Sequence, residues 1–316
     1  MQQGVRLPWA AIPDHVCQRI GVALGSPVLR AATVPGGFTP GFAGCCDLAD
    51  GRRYFVKAVS GAQNPDTPEM HRREAWINAR MPRDLPVPEF IEIVDTGEWI
   101  ALVFESIEGQ APGLPWSLTD LATTFAALDV IAERATPSPI SELASFADRH
   151  LEPFSGYHRA AEGDHALLDE WSRRHLDRLV ALESQWPAAT AGETLLHSDV
   201  RADNLLLTSE GKVILVDWPH ACVGAAWVDK VWLLPSVGLD GGPSPTEVEH
   251  ALRPFSTVDA DAVNSVVTAL AGYFTYRGAQ VDPVGIPHLR AFQRAQGRVA
   301  RKWLAERLRI DPPRDS

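Results

Sequence analysis

The hydrophobic pattern divides the chain into a strand-rich beginning and a mainly helical remainder. In about the first hundred residues, β-prone apolar runs are separated by turn residues, and Asp50-Gly51 between two such runs is a strong hairpin signal. Farther along, apolar residues recur at helical spacing, as at Leu121, Phe125 and Leu128. The pattern predicts an α+β protein, with a small antiparallel β-rich lobe before a larger, mainly helical lobe.

One helix is predicted within the strand-rich part. The stretch "TPEMHRREAWINARM", residues 67–81, carries apolar residues at helical spacing, with Thr67 as a candidate N-cap and Pro68 in the first helical position. Two further strands, "FIEIV" and "WIALVFE", follow it. We place the lobe boundary after the last of these strands, so that residues 1–106 and 107–316 form the two domains.

A second hairpin interrupts the helical part. The apolar runs "LLL" and "VILV" flank a short polar turn and should pair as antiparallel strands. With Leu207 opposite Val213, this register puts Asn204 opposite Val216 and beside Asp217. An amide and a carboxylate are therefore expected at the same open end of the hairpin.

These two oxygen donors are the kind that Mg²⁺ prefers, because this ion usually takes one or two protein oxygens and completes its shell with water and phosphate. Asp199 precedes Asn204 by five residues, on the loop that enters the same hairpin. Taken singly, Asp199, Asn204 and Asp217 are each more often caps of a loop or a strand. Their combined spacing favours a catalytic and metal-binding site.

Composition limits the remaining function classes. The 316 residues are 45% hydrophobic and 22% charged, an ordinary globular composition, and the formal net charge of -11 argues against a nucleic-acid partner. A basic stretch near the C-terminus is the exception, but its arginines fit the solvated side of an amphipathic helix. No apolar run is long enough for a membrane span, and the four cysteines form no disulfide or metal pattern. A cytoplasmic protein without a membrane partner is expected, and the sequence leaves its oligomeric state open.

The segment "HSDVRADN", followed by a strand, a turn and an apolar strand ending in "VDW", resembles the catalytic and metal-binding loops of protein-kinase-like phosphotransferases. It is most similar to the aminoglycoside phosphotransferase branch, where Trp commonly follows the second aspartate. This resemblance implies a two-lobed protein-kinase-like fold. Residues 1–106 would form the nucleotide-binding lobe with a hinge at its end, and residues 107–316 the helical catalytic and acceptor-binding lobe.

The resemblance also assigns an ion pair to the first lobe. Lys57 in "YFVKAV" corresponds to the lysine that pairs with nucleotide phosphates, and Glu74 to the carboxylate that orients this lysine. Glu69 is the rival partner. The alternatives are a solvated lysine on the outer face of a strand and a solvated carboxylate on a helix.

Two segments would contact the nucleotide. The run "TVPGGFTPGFAG" lies where a glycine-rich phosphate loop is expected, with Gly36 and Gly37 as candidate phosphate contacts. It does not match the GxGxxG pattern, so an ordinary flexible turn is an equal alternative. The main chain of Glu105, Ser106 and Ile107 resembles the hinge at which adenine docks.

The resemblance gives Asp199 the role of orienting the acceptor hydroxyl and accepting its proton, while Asn204 and Asp217 hold Mg²⁺. Asp229 resembles the aspartate that braces the catalytic loop; its alternative is a solvated carboxylate on a helix. Ser198 departs from the family pattern, because its position is often occupied by glycine. The nucleotide is expected to be ATP, with GTP possible.

We therefore expect a kinase that transfers the γ-phosphoryl group to a hydroxyl of a small molecule. An aminoglycoside or related cationic antibiotic is the favoured acceptor, by resemblance. The alternatives are a metabolic kinase of the same fold, acting on choline, a hydroxy amino acid or an amino sugar, and a catalytically inactive kinase-like binding protein. Retention of Lys57, Asp199, Asn204 and Asp217 argues against the inactive alternative.

Overall fold

The computed structural model describes residues 6–34, 41–163, 165–282 and 288–313. The strands in these ranges are β1 (Val28–Thr33), β2 (Phe42–Leu48), β3 (Arg53–Ser60), β4 (Phe90–Asp95), β5 (Trp99–Glu105), β6 (Gly109–Gln110), β7 (Thr194–Leu196), β8 (Leu205–Thr208), β9 (Val213–Leu215) and β10 (Cys222–Gly224). The helices there are α1 (Asp14–Ala23), α2 (Thr67–Asn78), α3 (Leu118–Arg134), α4 (Phe146–His150), α5 (Gly156–Glu162), α6 (Glu170–Arg174), α7 (Leu176–Glu183), α8 (Trp186–Ala189), α9 (Val228–Leu239), α10 (Pro245–Leu252), α11 (Ala260–Gly278) and α12 (Leu289–Leu308). The predicted fold class is confirmed: an antiparallel sheet occupies the N-terminal region and helices dominate the C-terminal region.

The chain forms two compact units. Unit 1 consists of Met1–Ala111 and Ala202–His220, and unit 2 of Pro112–Arg201 and Ala221–Ser316. The second hairpin, β8 and β9, therefore belongs to unit 1, although it follows the unit 2 segment Pro112–Arg201 in the sequence. The domain boundary between residues 106 and 107 stays a prediction.

Unit 1 is built on a five-stranded antiparallel sheet in the order β1-β2-β3-β5-β4. The turn at Asp50-Gly51 joins β2 to β3, as predicted, and Gly51 has φ +86°, a conformation that glycine adopts without a steric penalty. The runs "FIEIV" and "WIALVFE" form β4 and β5, as predicted.

Both faces of this sheet are covered. Since side chains alternate along a strand, Val56 and Ala58 of β3 pack with apolar residues of α1, whereas Val59 packs with Ala75 of α2 on the other face. Lys57 occupies β3 between Val56 and Ala58. Its side chain therefore lies on the face that α2 covers.

Helix α2 begins earlier than predicted. Its N-cap is Asp66 rather than Thr67, because the Met70 N–H donates to the Asp66 carbonyl at 3.2 Å and closes the first helical turn. Pro68 is then the second helical residue, where its missing N–H is still tolerated. The helix ends at Asn78, three residues before the end of the predicted stretch.

The second hairpin has the predicted register. Leu207 lies opposite Val213, and Leu205 lies opposite Leu215. Strand β6 pairs with the free edge of β8 and completes a three-stranded sheet. The N–H of Leu215 also donates to the Pro86 carbonyl at 2.8 Å, which anchors the hairpin to the segment between α2 and β4.

Unit 2 is mainly helical. Leu121, Phe125 and Leu128 of α3 are buried, which confirms the apolar face predicted for this stretch. Helix α11 is buried along most of its length and packs against α12, where Gly278 allows close approach of Arg294. The short strands β7 and β10 pair antiparallel. Among the described residues, no helix combines the length and apolar character that a membrane crossing requires.

Candidate active site

The ion pair predicted for unit 1 forms between β3 and α2. The Lys57 Nζ donates to Glu74 Oε1 at 2.7 Å, and the side chains are 15% and 2% exposed. Glu69, the rival partner, has a side chain that is 80% exposed and lies 3.7 Å from Arg72. The structure therefore selects Glu74, because only this carboxylate is on the face of α2 that meets the sheet.

Lys57 also donates to Asp217 Oδ1, at 2.9 Å. Asp217 follows β9 with φ +70°, a conformation disfavoured for residues with a Cβ atom. Its neighbours secure this turn: Trp218 is buried, and the Arg73 guanidinium of α2 donates to the Pro219 carbonyl at 2.9 Å. Strained backbone held by its surroundings is common at functional sites.

The hairpin brings Asn204 to the same place. The Val216 N–H donates to the Asn204 carbonyl at 2.9 Å, so Asn204 lies across the hairpin end from the residue before Asp217. Asn204 is buried, whereas the Asp217 side chain is 38% exposed and retains a face for another ligand.

This donor set fits Mg²⁺. In the described part of the chain, no group of three or more His, Cys, Asp or Glu side chains is gathered as in a preformed metal centre. A site of one carboxylate and one amide matches an ion that keeps several waters and binds substrate phosphates. The assignment of Asn204 and Asp217 as metal ligands stays a prediction.

The charges of this cluster are coupled. Burial lowers the pKa of the Lys57 ammonium, but the carboxylates of Asp217 and Glu74 outweigh burial and raise it to about 12. Burial raises the pKa of the Glu74 carboxyl to about 7, although Lys57 opposes this change. Burial would also raise the pKa of Asp217, but the charge and hydrogen bond of Lys57 lower it below its ordinary value. At neutral pH, Lys57 is charged and Asp217 is ionised.

Two residues of this cluster were not identified from the sequence. His71 of α2 is buried, and burial together with the charge of Lys57 lowers its pKa to about 4, so its ring is neutral at neutral pH. Burial lowers the pKa of Arg6, against the attraction of Asp217 and Asp203. His71 could have been found from its position one helical turn before the predicted carboxylate, whereas no sequence pattern marks Arg6.

The predicted hinge follows the last strand of the large sheet. Glu105 is the last residue of β5, and its N–H donates to the Glu89 carbonyl at 2.9 Å. The Ser106 hydroxyl lies 3.7 Å from Cys45 Sγ of β2. Since the Glu105 N–H is engaged, adenine docking here would use other main-chain groups of residues 105–107. The contacts predicted for Glu105, Ser106 and Ile107 are untested.

Gly36 and Gly37, the candidate phosphate contacts, lie outside the described residues. Gly41, near the end of the same glycine-rich run, has φ +121°, and a Cβ atom there would come within 2.6 Å of the Ala58 carbonyl oxygen. This glycine is therefore explained by close approach of the main chain to β3.

In unit 2, Asp229 braces the loop that follows β7. Its carboxylate accepts hydrogen bonds from the main-chain N–H groups of His197, at 2.7 Å, and Ser198, at 2.8 Å. Asp229 is only 3% exposed, in the first turn of α9. Burial raises its pKa, although His197 and the two N–H donors favour the ionised form. This geometry matches the bracing interaction and not a solvated carboxylate.

Asp199 lies on the braced loop. Its N–H donates to His197 Nδ1 at 3.2 Å, and its side chain is 24% exposed, so the carboxylate can be reached from solvent. Arg201 Nε lies 3.9 Å from Asp199 Oδ1. Sequence reasoning did not single out Arg201, although it stands two residues after Asp199 within the quoted motif.

The predicted residues thus fall into two groups, each held by its own unit. Unit 1 brings together Lys57, Glu74, Asn204 and Asp217. Unit 2 holds Asp199 and its brace, Asp229. The catalytic and binding roles of these residues stay predictions.

Comparison with protein families decides the classification. The family model APH, described as the phosphotransferase enzyme family, matches residues 47–253, which include both groups of residues. The chain belongs to this family. The resemblance deduced from the sequence is therefore confirmed, and so is the assignment as a small-molecule phosphotransferase with an alcohol group as acceptor.

Solved structures resemble this phosphotransferase along almost its whole length. Spectinomycin phosphotransferase APH(9)-Ia, in complex with ADP and spectinomycin, has a TM-score of 0.61 at 13% identity and covers 97% of this chain and 99% of its own. Choline kinase LicA from Streptococcus pneumoniae has a TM-score of 0.59 at 16% identity and covers 93% and 98%.

A thermostable mutant of aminoglycoside phosphotransferase APH(4)-Ia, with ADP and hygromycin B, has a TM-score of 0.57 at 13% identity and covers 93% and 98%. No curated protein matches the chain in sequence. At these identities, the likeness to solved structures establishes the fold of the phosphotransferase and not its acceptor.

Proposed function

We propose that this phosphotransferase transfers the γ-phosphoryl group of ATP to a hydroxyl of a small cationic molecule, most favourably an aminoglycoside or related antibiotic. The observation that carries the proposal is the Lys57 ammonium held between Glu74 and Asp217, at 2.7 and 2.9 Å. A buried cation fixed in this way is typical of a site that receives nucleotide phosphates. The assignment of GTP as a second nucleotide rests on the resemblance alone.

The chemistry requires few groups, because phosphoryl transfer depends mainly on positioning and on neutralisation of charge. The acceptor oxygen would form a bond to the γ-phosphorus while the bond from this phosphorus to the bridging oxygen of ADP breaks. Asp199 would accept a hydrogen bond from the acceptor hydroxyl and take its proton late, since an alcohol is too weak an acid to ionise first.

The other residues would act on charge and geometry. Lys57 would bind phosphate oxygens, and Glu74 would keep its ammonium in place. Asn204 and Asp217 would hold Mg²⁺, which when bound neutralises charge on the phosphates. Asp229 would keep the main chain around Asp199 in one conformation.

The acceptor class rests on two observations. The net charge of -11 favours a cationic ligand. The proteins of similar fold include a spectinomycin phosphotransferase bound to spectinomycin and an aminoglycoside phosphotransferase bound to hygromycin B. The choline kinase neighbour supports the alternative of a metabolic kinase. Both alternatives take a hydroxyl on a small molecule that carries an amino or ammonium group, so only a comparison of acceptors distinguishes them.

The test is release of ADP or GDP by the purified protein with ATP or GTP and Mg²⁺, against aminoglycosides, other antibiotics, choline, hydroxy amino acids and amino sugars. We expect stimulation by an aminoglycoside or related cationic antibiotic, and loss of about 10²- to 10⁴-fold in kcat for Asp199→Asn. Glu210→Gln, on the exposed turn of the second hairpin, is the matched control.

Efficient turnover of choline or another metabolite, with none of any antibiotic, would reject the antibiotic assignment and retain the kinase. Nucleotide binding without turnover of any acceptor would favour the inactive binding protein. Unchanged turnover in Asp199→Asn would refute the role given to Asp199.

A further inference from the structure

Ser198, directly before Asp199, has a main-chain conformation that is unusual for a residue with a side chain. Its φ is +64°, in the left-handed region where a Cβ atom is disfavoured and glycine is not. Ser198 is also buried, with 2% of its surface exposed, so a compensating interaction is needed within the protein.

The compensating partner is His150, 48 residues earlier in the chain. Its Nε2 lies 2.8 Å from the Ser198 hydroxyl oxygen, in a buried hydrogen bond. The N–H of Ser198 donates to Asp229 at 2.8 Å. The main chain and the side chain of Ser198 are therefore held by different helices, α9 and α4.

The His150 ring is itself fixed by aromatic side chains. Its centroid lies 4.3 Å from the ring of Phe146, 5.2 Å from that of Phe154 and 5.3 Å from that of Trp232. Trp232 is on α9, the helix that carries Asp229. Helix α9 thus supports the catalytic loop twice, directly through Asp229 and indirectly through Trp232 and His150.

We infer that His150 and Ser198 form a positioning pair, in which the imidazole holds the left-handed turn before Asp199 and so orients the catalytic carboxylate. The pair touches no reacting atom in this role. The inference rests on the proposed function, because the orientation of Asp199 matters for turnover only if Asp199 acts on the acceptor. The hydrogen bond with His150 explains how serine can occupy a left-handed backbone conformation that glycine would adopt without a stabilising partner.

The test is a double-mutant cycle. It compares the effect of removing the hydrogen bond when residue 198 is serine with the effect when residue 198 is glycine. His150→Leu removes the hydrogen bond, His150→Gln keeps a side-chain nitrogen near the Nε2 position, and Ser198→Gly relieves the backbone conformation that the bond supports. His158→Leu is the matched control, because it removes an exposed imidazole from the same unit.

Steady-state kinetics provide the first readout, with ATP, Mg²⁺ and the acceptor identified in the test of the proposed function. We expect His150→Leu to lower kcat about ten-fold with little change in the KM for ATP, and His150→Gln to recover most of this loss. In the Ser198→Gly background, the same His150→Leu change should lower kcat by less than about two-fold. Equal losses in both backgrounds, or no recovery with glutamine, would reduce His150 to a packing residue and overturn the inference.

Amide hydrogen exchange of residues 195–201 provides a readout that does not need an acceptor. We expect faster exchange in His150→Leu than in the wild type and the His158→Leu control, and no such increase when Ser198→Gly is also present. Unchanged exchange in His150→Leu would overturn the inference. Absence of ADP release from the wild type with every acceptor would instead count against the proposed function, while exchange would still decide whether the pair holds the loop.

Discussion

Unit 1 and unit 2 both bury a carboxylate beside a predicted functional residue, but they hold it by different groups. In unit 1, Glu74 accepts from the charged side chain of Lys57 at 2.7 Å, in addition to a main-chain hydrogen bond from Trp218. In unit 2, Asp229 accepts from two main-chain N–H groups. Glu183 of α7 likewise accepts from the N–H groups of Tyr157 and His158 at the start of α5, at 3.0 and 2.8 Å. The first arrangement aims a cation, whereas the second fixes the path of the main chain.

This difference has a consequence for substitution. The charged partner of Glu74 is a side chain, so substitution of Lys57 leaves a buried charge that a second substitution, at Glu74, can remove. A carboxylate held only by main-chain amides has partners that no substitution other than proline removes. Variants in the two units should therefore respond differently to attempts at rescue.

The largest effect is expected for Asp217→Asn. This change removes one of the two carboxylate charges that Lys57 faces, and a predicted metal ligand, so kcat/KM for ATP should fall by about 10³-fold or more. Steady-state ADP release at several Mg²⁺ concentrations measures it. Asp95→Asn, which removes an exposed partner of Arg72 in the same unit, is the control. Activity within ten-fold of the wild type would contradict the role of Asp217 in unit 1.

Asp229→Asn should have a smaller effect on turnover. An amide has only one oxygen with which to accept the two N–H donors, so the loop carrying Asp199 would shift, and kcat should fall by about 10²-fold. The KM for ATP should stay nearly constant, because the phosphate-binding residues belong to unit 1. A change confined to the KM for ATP would contradict the separation of roles between the units.

A double substitution tests the cation-held carboxylate. Lys57→Met leaves Glu74 buried without its cation and should lower the free energy of unfolding by about 3 to 5 kcal/mol. Adding Glu74→Gln should recover most of this stability without recovering activity. Urea unfolding and ADP release on the same samples measure both properties. If the double variant does not regain stability, the destabilisation of Lys57→Met does not come mainly from the unpaired charge of Glu74.

The smallest effect concerns pH and the amide-held Glu183. Burial raises its pKa from an ordinary 4.5 to about 7, so between these values the folded state keeps a proton that the unfolded state has lost. Stability from this group is complete below pH 4.5 and is lost as pH rises through about 7. Relative to Glu183→Gln, the wild type should lose about 2 to 3 kcal/mol over this interval.

Urea unfolding at several pH values measures the loss, and Glu193→Gln, an exposed carboxylate of the same unit, is the control. Parallel pH profiles of the wild type and Glu183→Gln would show that the carboxylate is ionised in the folded protein at acidic pH.

Local signals predicted much of unit 1. The Asp50-Gly51 turn and the register of Leu207 with Val213 were both correct, because turn residues and strand alternation act over a few residues. The start of α2 was wrong by one residue, since both Asp66 and Thr67 are acceptable caps and only the main chain chooses between them.

Contacts between distant residues could not be read in the same way. His150 carries no motif and lies 48 residues from Ser198, so its hydrogen bond follows from the packing of α4 against α9 and the loop. Arg6 reaches the neighbourhood of Asp217 from the other end of unit 1. Such pairs depend on how whole helices and strands pack against one another, and the periodicity of apolar residues does not predict this packing.

The sequence by itself determined the order of the elements, the membership in a phosphotransferase family and the residue types of the candidate site, because motifs and turns are local. Tertiary structure decided which groups meet: Glu74 and not Glu69 for Lys57, and Asp229 as the acceptor for the loop of Asp199. The physical reason is that burial and hydrogen-bond geometry are properties of packed elements, whose partners here lie 17 to 160 residues apart.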